Sequence, residues 1–250
     1  MSFKEIILVG VGPGDPSLMT LSAVNAIEEA TVVAYPIAQA GGKSMAAQIA
    51  SKWITRDKIQ IPIVFPMVLD ADPLKDAWKE ACKILVDQVL KGEKVCFLSQ
   101  GDISLFSTGS YVLLELLNNH PLLSVRVIPG VSSIAAAAAE GLWPLALQKD
   151  QLLILSTPDQ PEKLDKLLSE AALKNRVIAL LKIGHRWSWI RPLLESKGLL
   201  ESSLFAQRIG FSDEIIVPAC DLDDLARPYF SLLLVRQNWP DIIPSITEKD

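Results

Sequence analysis

At 250 residues the chain can bury one large core or two moderate ones, and with half its residues apolar and 21% charged it has the balance of a soluble α/β protein. A formal net charge of −5 and the lack of a lysine or arginine run argue against a nucleic-acid partner. No apolar run reaches the ~18 residues of a membrane span, no signal peptide precedes the first strand, and Cys82, Cys96 and Cys220 are scattered without metal-ligand spacing, so a soluble protein of the reducing cytoplasm is expected.

Ile6-Ile7-Leu8-Val9 reads as a buried strand. The turn Gly10-Val11-Gly12-Pro13-Gly14-Asp15-Pro16 follows, and bare glycine backbone lets another group come close. Thr20 is placed to cap a helix starting at Leu21, with Leu21, Val24 and Ile27 on its apolar face. A strand, a glycine turn and a helix make either a ligand site in an open α/β sheet or simply a tight turn. A dinucleotide fingerprint does not fit. The spacing is G-x-G-x-G, and Asp15 stands where the third glycine of G-x-G-x-x-G belongs. An acid there repels a pyrophosphate, and Pro13 removes a backbone donor. The loop favours a ligand that is neutral or cationic near Asp15, or one held by shape.

Thr31 to Pro36 reads as a second strand ended by Pro36 at a sheet rim. Gly41-Gly42-Lys43-Ser44 opens a helix through Ala46, Ile49 and Trp53, with Ser44 as N-cap. Ile59 to Phe65, interrupted by Pro62, reads as an edge strand stopped by Pro66-Met67. Asp72-Pro73 begins a long helix from Leu74 to about Lys91, on which Trp78 is a core residue. Val95 to Ser99 is the next strand. The polar turn Gln100-Gly101-Asp102-Ile103-Ser104-Leu105-Phe106 follows it, then a helix from Tyr111 to Leu117. Asp102 either accepts from a ligand or caps its own turn. Val125 to Ile128 is a short strand, and Pro129-Gly130-Val131-Ser132-Ser133 leads into an alanine-rich helix, Ile134 to Glu140, capped by one of the two serines.

The domain change is placed here, giving an N-terminal domain 1–127 and a C-terminal domain 128–250. The second half continues as strand (Leu152–Leu155), helix (Glu162–Leu173), strand (Val177–Leu181), helix (Ile190–Lys197) and strand (Leu204–Arg208). The turn Gly210–Glu214, a last strand (Phe230–Val235), an edge segment at Trp239-Pro240 and a loose end from Ile242 complete it. His120 and His185 are read as loop and surface residues, and Trp187 and Trp189 as packing. No G-x-S-x-G, H-E-x-x-H or C-x-x-C occurs, so no triad and no metal site is expected. Binding and orienting two small molecules fits better.

The Gly10–Pro16 turn, Tyr35-Pro36, the Gly101-Asp102 turn and Pro129-Gly130-Val131-Ser132-Ser133, in that order, resemble the tetrapyrrole methylases over nearly the whole chain. Gly41-Gly42-Lys43-Ser44, Phe65-Pro66-Met67 and Ser104-Leu105-Phe106-Ser107-Thr108 are similar to the subgroup that methylates C20 of precorrin-2 or cobalt-factor II in vitamin B12 synthesis. The resemblance implies two α/β domains with the active site in the cleft between them, a homodimer, and S-adenosylmethionine as methyl donor, leaving S-adenosylhomocysteine. It implies that Pro13, Gly101, Asp102, Ile103 and Phe106 meet the donor from the first domain, and Ser132, Ser133, Leu181 and Gly210 from the second. Gly12, Asp15 and Tyr35 become substrate-side residues, and Lys43, Lys182, Arg186 and Arg208 candidate partners for the substrate's carboxylates. Asp15, Tyr35 and Asp102 are the candidates for accepting a proton. Two departures stand out. Ile103 replaces a proline, which is expected to loosen the loop, and Phe106 replaces a tyrosine, which removes a hydroxyl. The alternatives are methyl transfer to another tetrapyrrole position, or a relative that binds tetrapyrrole or donor without catalysis.

Overall fold

The computed structural model describes residues 5–66 and 71–239; Met67, Pro240 and the expected loose end from 242 lie outside the described residues. The chain divides into two compact units. The first is Met1–Ala136 with Gly210–Ser212, and the second is Ala137–Ile209 with Asp213–Asp250. The division falls later than the expected 127/128. Gly130, on the segment after the fifth strand, donates its N–H to Asp102 and packs on Gly10 and Gly101, which ties Ser132 and Ser133 to the first unit.

In the first unit β1 (Glu5–Gly10), α1 (Leu21–Glu29), β2 (Val32–Ile37), α2 (Met45–Ile49), β3 (Ile59–Val64), α3 (Ala71–Leu90), β4 (Val95–Ser99), α4 (Thr108–Asn119) and β5 (Ser124–Ile128) follow in order. The strands form one sheet in the order β3-β2-β4-β1-β5, every pair parallel. Parallel strands covered on both faces carry continuous apolar runs, as Ile6–Val9 of β1 and Val95–Leu98 of β4 do. Alternate residues serve opposite faces. Ile6, Leu8, Val32, Ala34 and Phe97 meet α3 and α4. Val9, Val33, Cys96 and Leu98 meet α1 and α2.

Thr20 caps α1 by accepting from Ala23 N–H (3.1 Å), as expected. Ile27 is buried as expected and Val24 packs against the same core, but Ala23 and Ala26 complete the buried face and Leu21 is 82% exposed. β2 runs past Pro36. Its pairing with β4 stops at Ala34, so the missing N–H breaks no ladder bond, while pairing with β3 continues to Ile37. β3 is the edge strand, which accommodates Pro62. Ser44 caps α2, which is only five residues long.

In the second unit α5 (Ser133–Glu140), whose first residues belong to the first unit, leads to β6 (Gln151–Ser156), α6 (Pro161–Leu173), β7 (Arg176–Leu181), α7 (Trp187–Ser196), β8 (Ser203–Gln207), β9 (Ile215–Pro218) and β10 (Ser231–Val235). The sheet order is β6-β7-β10-β8-β9, with β6 and β7 parallel and β10 inserted antiparallel between β7 and β8. β9 was not among the expected strands: it is four residues long, half-buried and at the sheet edge, so its apolar signal is short. α6 and α7 bury Leu164, Leu168, Trp187, Ile190 and Leu194 against Ile178, Leu180, Phe205 and Leu233. Trp187 is fully buried, in line with the packing role read from the sequence.

Candidate functional site

In the first unit β1 and β4 lie side by side, but the chain leaves β1 for β2 and leaves β4 for β5, on opposite sides. The two connections cross, so the loops after these strands meet at the carboxyl edge of the sheet, the edge at which open α/β sheets bind ligands. They are the glycine turn and the Gly101–Phe106 turn. Gly12 N–H donates to Gly101 O (3.2 Å) and Gly101 N–H to Gly12 O (2.7 Å). The Gln100 amide donates to Pro13 O (2.8 Å) and so ties the second loop to the first.

Bare backbone here serves the protein's own chain. A Cβ on Gly130 would lie 2.2 Å from Gly101 O, and one on Gly210 would lie 2.0 Å from Asp15 N. Gly210 also has φ +79°, a conformation that disfavours any side chain. Pro13, Gly101, Gly130 and Gly210 thus converge within the first unit, with Ser132 following directly after Val131 and donated to by Ala135 N–H (3.2 Å). Ser132, rather than Ser133, caps α5.

Asp102 binds its own turn and a second loop. One carboxylate oxygen accepts from Ser104 N–H (2.8 Å) and from the Ser104 hydroxyl, and the other accepts from Gly130 N–H (2.9 Å). Burial opposes its charge, but these hydrogen bonds prevail and hold its pKa below the usual carboxylate value. Asp102 is therefore a fixed anion that clamps two loops, and a poor proton acceptor. Asp15 accepts from Ser17 N–H (2.7 Å) and caps a short 3-10 turn, Pro16–Leu18. Ile103 does not loosen its loop. Its side chain is buried in the core, and its carbonyl accepts from Ser107 Oγ (2.6 Å) and Ser110 Oγ (2.5 Å). The anchoring that a proline supplies through ring rigidity comes here from packing, and the Ile103 side chain is not available to a ligand. Phe106 is 46% exposed at φ +51°.

Tyr35 and Lys43 are brought together in a pocket of about 520 Å³ at the end of β2. Tyr35 OH donates to Gln60 Oε1 (3.2 Å).

In the second unit Leu181, Lys182 and Arg208 stand at the ends of β7 and β8. The carbonyl of Leu181 already accepts from Thr157 N–H (2.9 Å) and Oγ1 (2.7 Å). Lys182 lies 5.9 Å from the centre of the Tyr229 ring. Arg186 is bound to Asp159 and to Lys182 O (3.2 Å), and Arg208 to Asp213 (2.5 Å). These two guanidiniums carry carboxylate partners of their own. His185 is exposed.

Phe106, Lys182 and Arg208 share a further property. All three have left-handed φ (51°, 62° and 47°), a state that costs a non-glycine residue about 1 kcal/mol or more. Among the described residues only Leu142, Gln148 and Asn175 otherwise do so, so half of this strain falls on residues singled out for ligand contact. Gln100 enters the sequence reading only as part of its polar turn, and Thr157 and Tyr229 do not enter it. Gln100 carried a signal, as a polar residue directly after a buried strand; Thr157 and Tyr229 act through long-range contacts that no local pattern marks. No helix among the described residues is long and apolar enough to cross a membrane.

Comparison with known proteins places the chain among methyltransferases of similar fold. Over 238 residues the chain is 29% identical to cobalt-precorrin-2 C(20)-methyltransferase of Salmonella typhimurium, covering 94% of this chain and 97% of that one. It is 28% identical over 235 residues to the cobalamin biosynthesis protein CobIJ of Mycobacterium bovis, where 91% of this chain spans only 45% of the relative's length. Among solved structures it resembles a cobalamin biosynthetic enzyme, cobalt precorrin-4 methyltransferase, with TM-score 0.70, 19% identity and coverage of 93% and 95%. It also resembles a uroporphyrin-III C-methyltransferase of Thermus thermophilus complexed with S-adenosyl homocysteine, with TM-score 0.59, 23% identity and coverage of 92% and 96%. Residues 5–226 match the tetrapyrrole (corrin/porphyrin) methylases, and the chain belongs to that family.

Proposed function

We propose that the protein transfers a methyl group from S-adenosylmethionine to C20 of precorrin-2 or cobalt-factor II in cobalamin biosynthesis. The observation that carries this is the end-to-end likeness to a C20 enzyme, 94% of one chain against 97% of the other. The two paired loops at the carboxyl ends of β1 and β4 support it.

The residues fit the donor. The Gly101–Phe106 and Ser132–Ser133 segments carry one fixed carboxylate, several hydroxyls and no lysine or arginine, a setting suited to a cationic ligand with an ammonium and a ribose. Pro13, Gly101, Asp102, Phe106, Ser132, Ser133, Leu181 and Gly210 would hold it, with Ile103 acting through its backbone. Bound there, it supplies an electrophilic methyl on a sulfonium. The substrate's C20 takes that methyl in line, the electron pair of the broken bond stays on sulfur, and C20 loses its proton. The protein's part is alignment, which is worth several powers of ten when reacting atoms are held in an attack geometry. Water receives the proton in this scheme, because Asp102 is held anionic by its loop, Asp15 caps a turn and Tyr35 donates to Gln60. Gly12, Asp15 and Tyr35 face the substrate. Lys43 and Lys182 meet its carboxylates as charges, whereas Arg186 and Arg208, already bound to Asp159 and Asp213, hold the ends of β7 and β8 in place. We also propose a cytoplasmic homodimer, consistent with three free cysteines.

The test is an anaerobic assay with methyl-labelled S-adenosylmethionine and, in separate reactions, precorrin-2, cobalt-factor II and uroporphyrinogen III. Label at C20 of either of the first two is the expected result. Label on uroporphyrinogen III alone, or on none, overturns it.

A further inference from the structure

The pocket at the end of β2 has a composition that the proposed chemistry does not by itself require. Its walls are Ile37, Ala47 and Pro62, which are apolar, and its polar rim is Tyr35, Lys43 and Gln48. Lys43 is the only charged residue lining it, and no carboxylate does. Among the described residues none pairs with the Lys43 ammonium, in contrast to Arg186 and Arg208. A tight turn closed by Gly42 N–H donating to Gln39 O (2.9 Å) carries Lys43 to this rim.

An apolar slot ending in one unneutralised ammonium matches a short carboxyalkyl chain. Methylenes lie against the isoleucine, alanine and proline, and the carboxylate meets Lys43, with the Gln48 amide as a second donor. Position agrees with composition. In the sheet β2 is separated from β1 by β4 alone, so the pocket lies about 10 Å along the same carboxyl edge from the glycine turn, two strand spacings away. A macrocycle over the glycine turn would reach the pocket with a peripheral arm. The volume of about 520 Å³ leaves room for water around a single arm and is too large for an isolated anion to fill.

We infer that this pocket receives one carboxylate-bearing arm of the tetrapyrrole and that Lys43 is the residue that recognises it. The inference rests on the tetrapyrrole reading above, and it goes further in committing one cation and one pocket to substrate specificity.

The experiment compares the full-length protein with Lys43→Gln, Lys43→Arg and Gln48→Glu. The probe is uroporphyrin III, a stable tetrapyrrole rich in carboxylates, and binding is followed by quenching of tryptophan fluorescence. Loss of one charge-assisted pair predicts about a tenfold rise in Kd for Lys43→Gln, a flatter dependence on salt, and recovery by Lys43→Arg. Gln48→Glu, which places a like charge in the slot, weakens binding at least as much. Affinity for S-adenosylhomocysteine and the thermal transition stay at wild-type values, which separates recognition from folding. Wild-type affinity for uroporphyrin III in both Lys43→Gln and Gln48→Glu overturns the inference. Methyl transfer to precorrin-2 with an unchanged KM in Lys43→Gln also overturns it, and leaves the C20 assignment standing. Weakened porphyrin binding in a protein that methylates no tetrapyrrole supports the pocket and removes the C20 assignment.

Discussion

Replacing Asp102 by alanine removes the acceptor for three donors at once: the N–H groups of Ser104 and Gly130, and the Ser104 hydroxyl. A hydrogen bond to a buried charge contributes about 1.5–3 kcal/mol, and at this half-exposed position solvent competition reduces each to about 1 kcal/mol, for a loss of about 3 kcal/mol. In a chain of this size about 1 kcal/mol moves the melting temperature by about 2–4 °C, so Asp102→Ala lowers it by about 6–12 °C. Asp102→Asn keeps one acceptor oxygen and loses roughly half as much. The pH dependence has a definite sign. Burial raises the pKa of Asp102, and the bonds from Ser104 and Gly130 lower it by more, so the folded-state value lies below the unfolded one. The stabilisation is fully present above the unfolded carboxylate value of about 4 and disappears as pH falls through the lower folded value. Urea unfolding followed by circular dichroism at pH 7, and at successive steps down to about pH 2.5, measures both effects. A variant within about 0.5 kcal/mol of wild type at pH 7 refutes the clamp. A gap that persists undiminished in acid refutes the electrostatic account.

Gly210→Ala should destabilise the first unit by at least about 2 kcal/mol, since the new Cβ would lie 2.0 Å from Asp15 N at φ +79°; an unchanged urea midpoint would show that the turn relaxes freely. In the second unit the Arg236 guanidinium, with its side chain 4% exposed, donates to Asp150 (2.8 Å) and Pro144 O (2.7 Å) and lies over Trp143. Arg236→Met leaves the Asp150 carboxylate without this partner and should cost about 3–5 kcal/mol, with Asp150→Asn in the same background recovering part of it. Burial pushes the Cys82 thiol up to about 11 and Cys96 up to about 12, while Cys220 is exposed. Ellman's reagent at pH 8 should therefore titrate one thiol in the native protein and three in guanidinium; fast reaction of two or more in the native state would contradict the burial of these cysteines.

The strands of both sheets were legible because a strand buried on two faces must be apolar throughout, as in Ile6–Val9 and Val177–Leu181, and because caps such as Thr20 and Ser44 act within three residues. β9 and the buried face of α1 were not legible. Four half-buried residues carry little apolar signal, and whether Leu21 or the small Ala23 and Ala26 join Ile27 on the buried face of α1 depends on how closely the sheet approaches. The candidate site divides in the same way. Its segments were recognisable from ordered motifs, yet Asp102 could be read equally as a ligand group or a cap, and Ile103 as a source of looseness. The contacts that decided these points come from Gly130 and from Ser107 and Ser110.

Sequence alone was therefore sufficient for what depends on composition and near neighbours: two α/β halves, strand and helix positions, the glycine turns and the family resemblance. Tertiary structure alone decided what depends on residues distant in the chain. It set Gly210 against the glycine turn, gave Arg186 the carboxylate of Asp159, and left Lys43 as the one charge on an apolar slot. The physical reason is that backbone propensity and capping act over a few residues, whereas charge pairing and close approach are fixed only once the sheets have assembled.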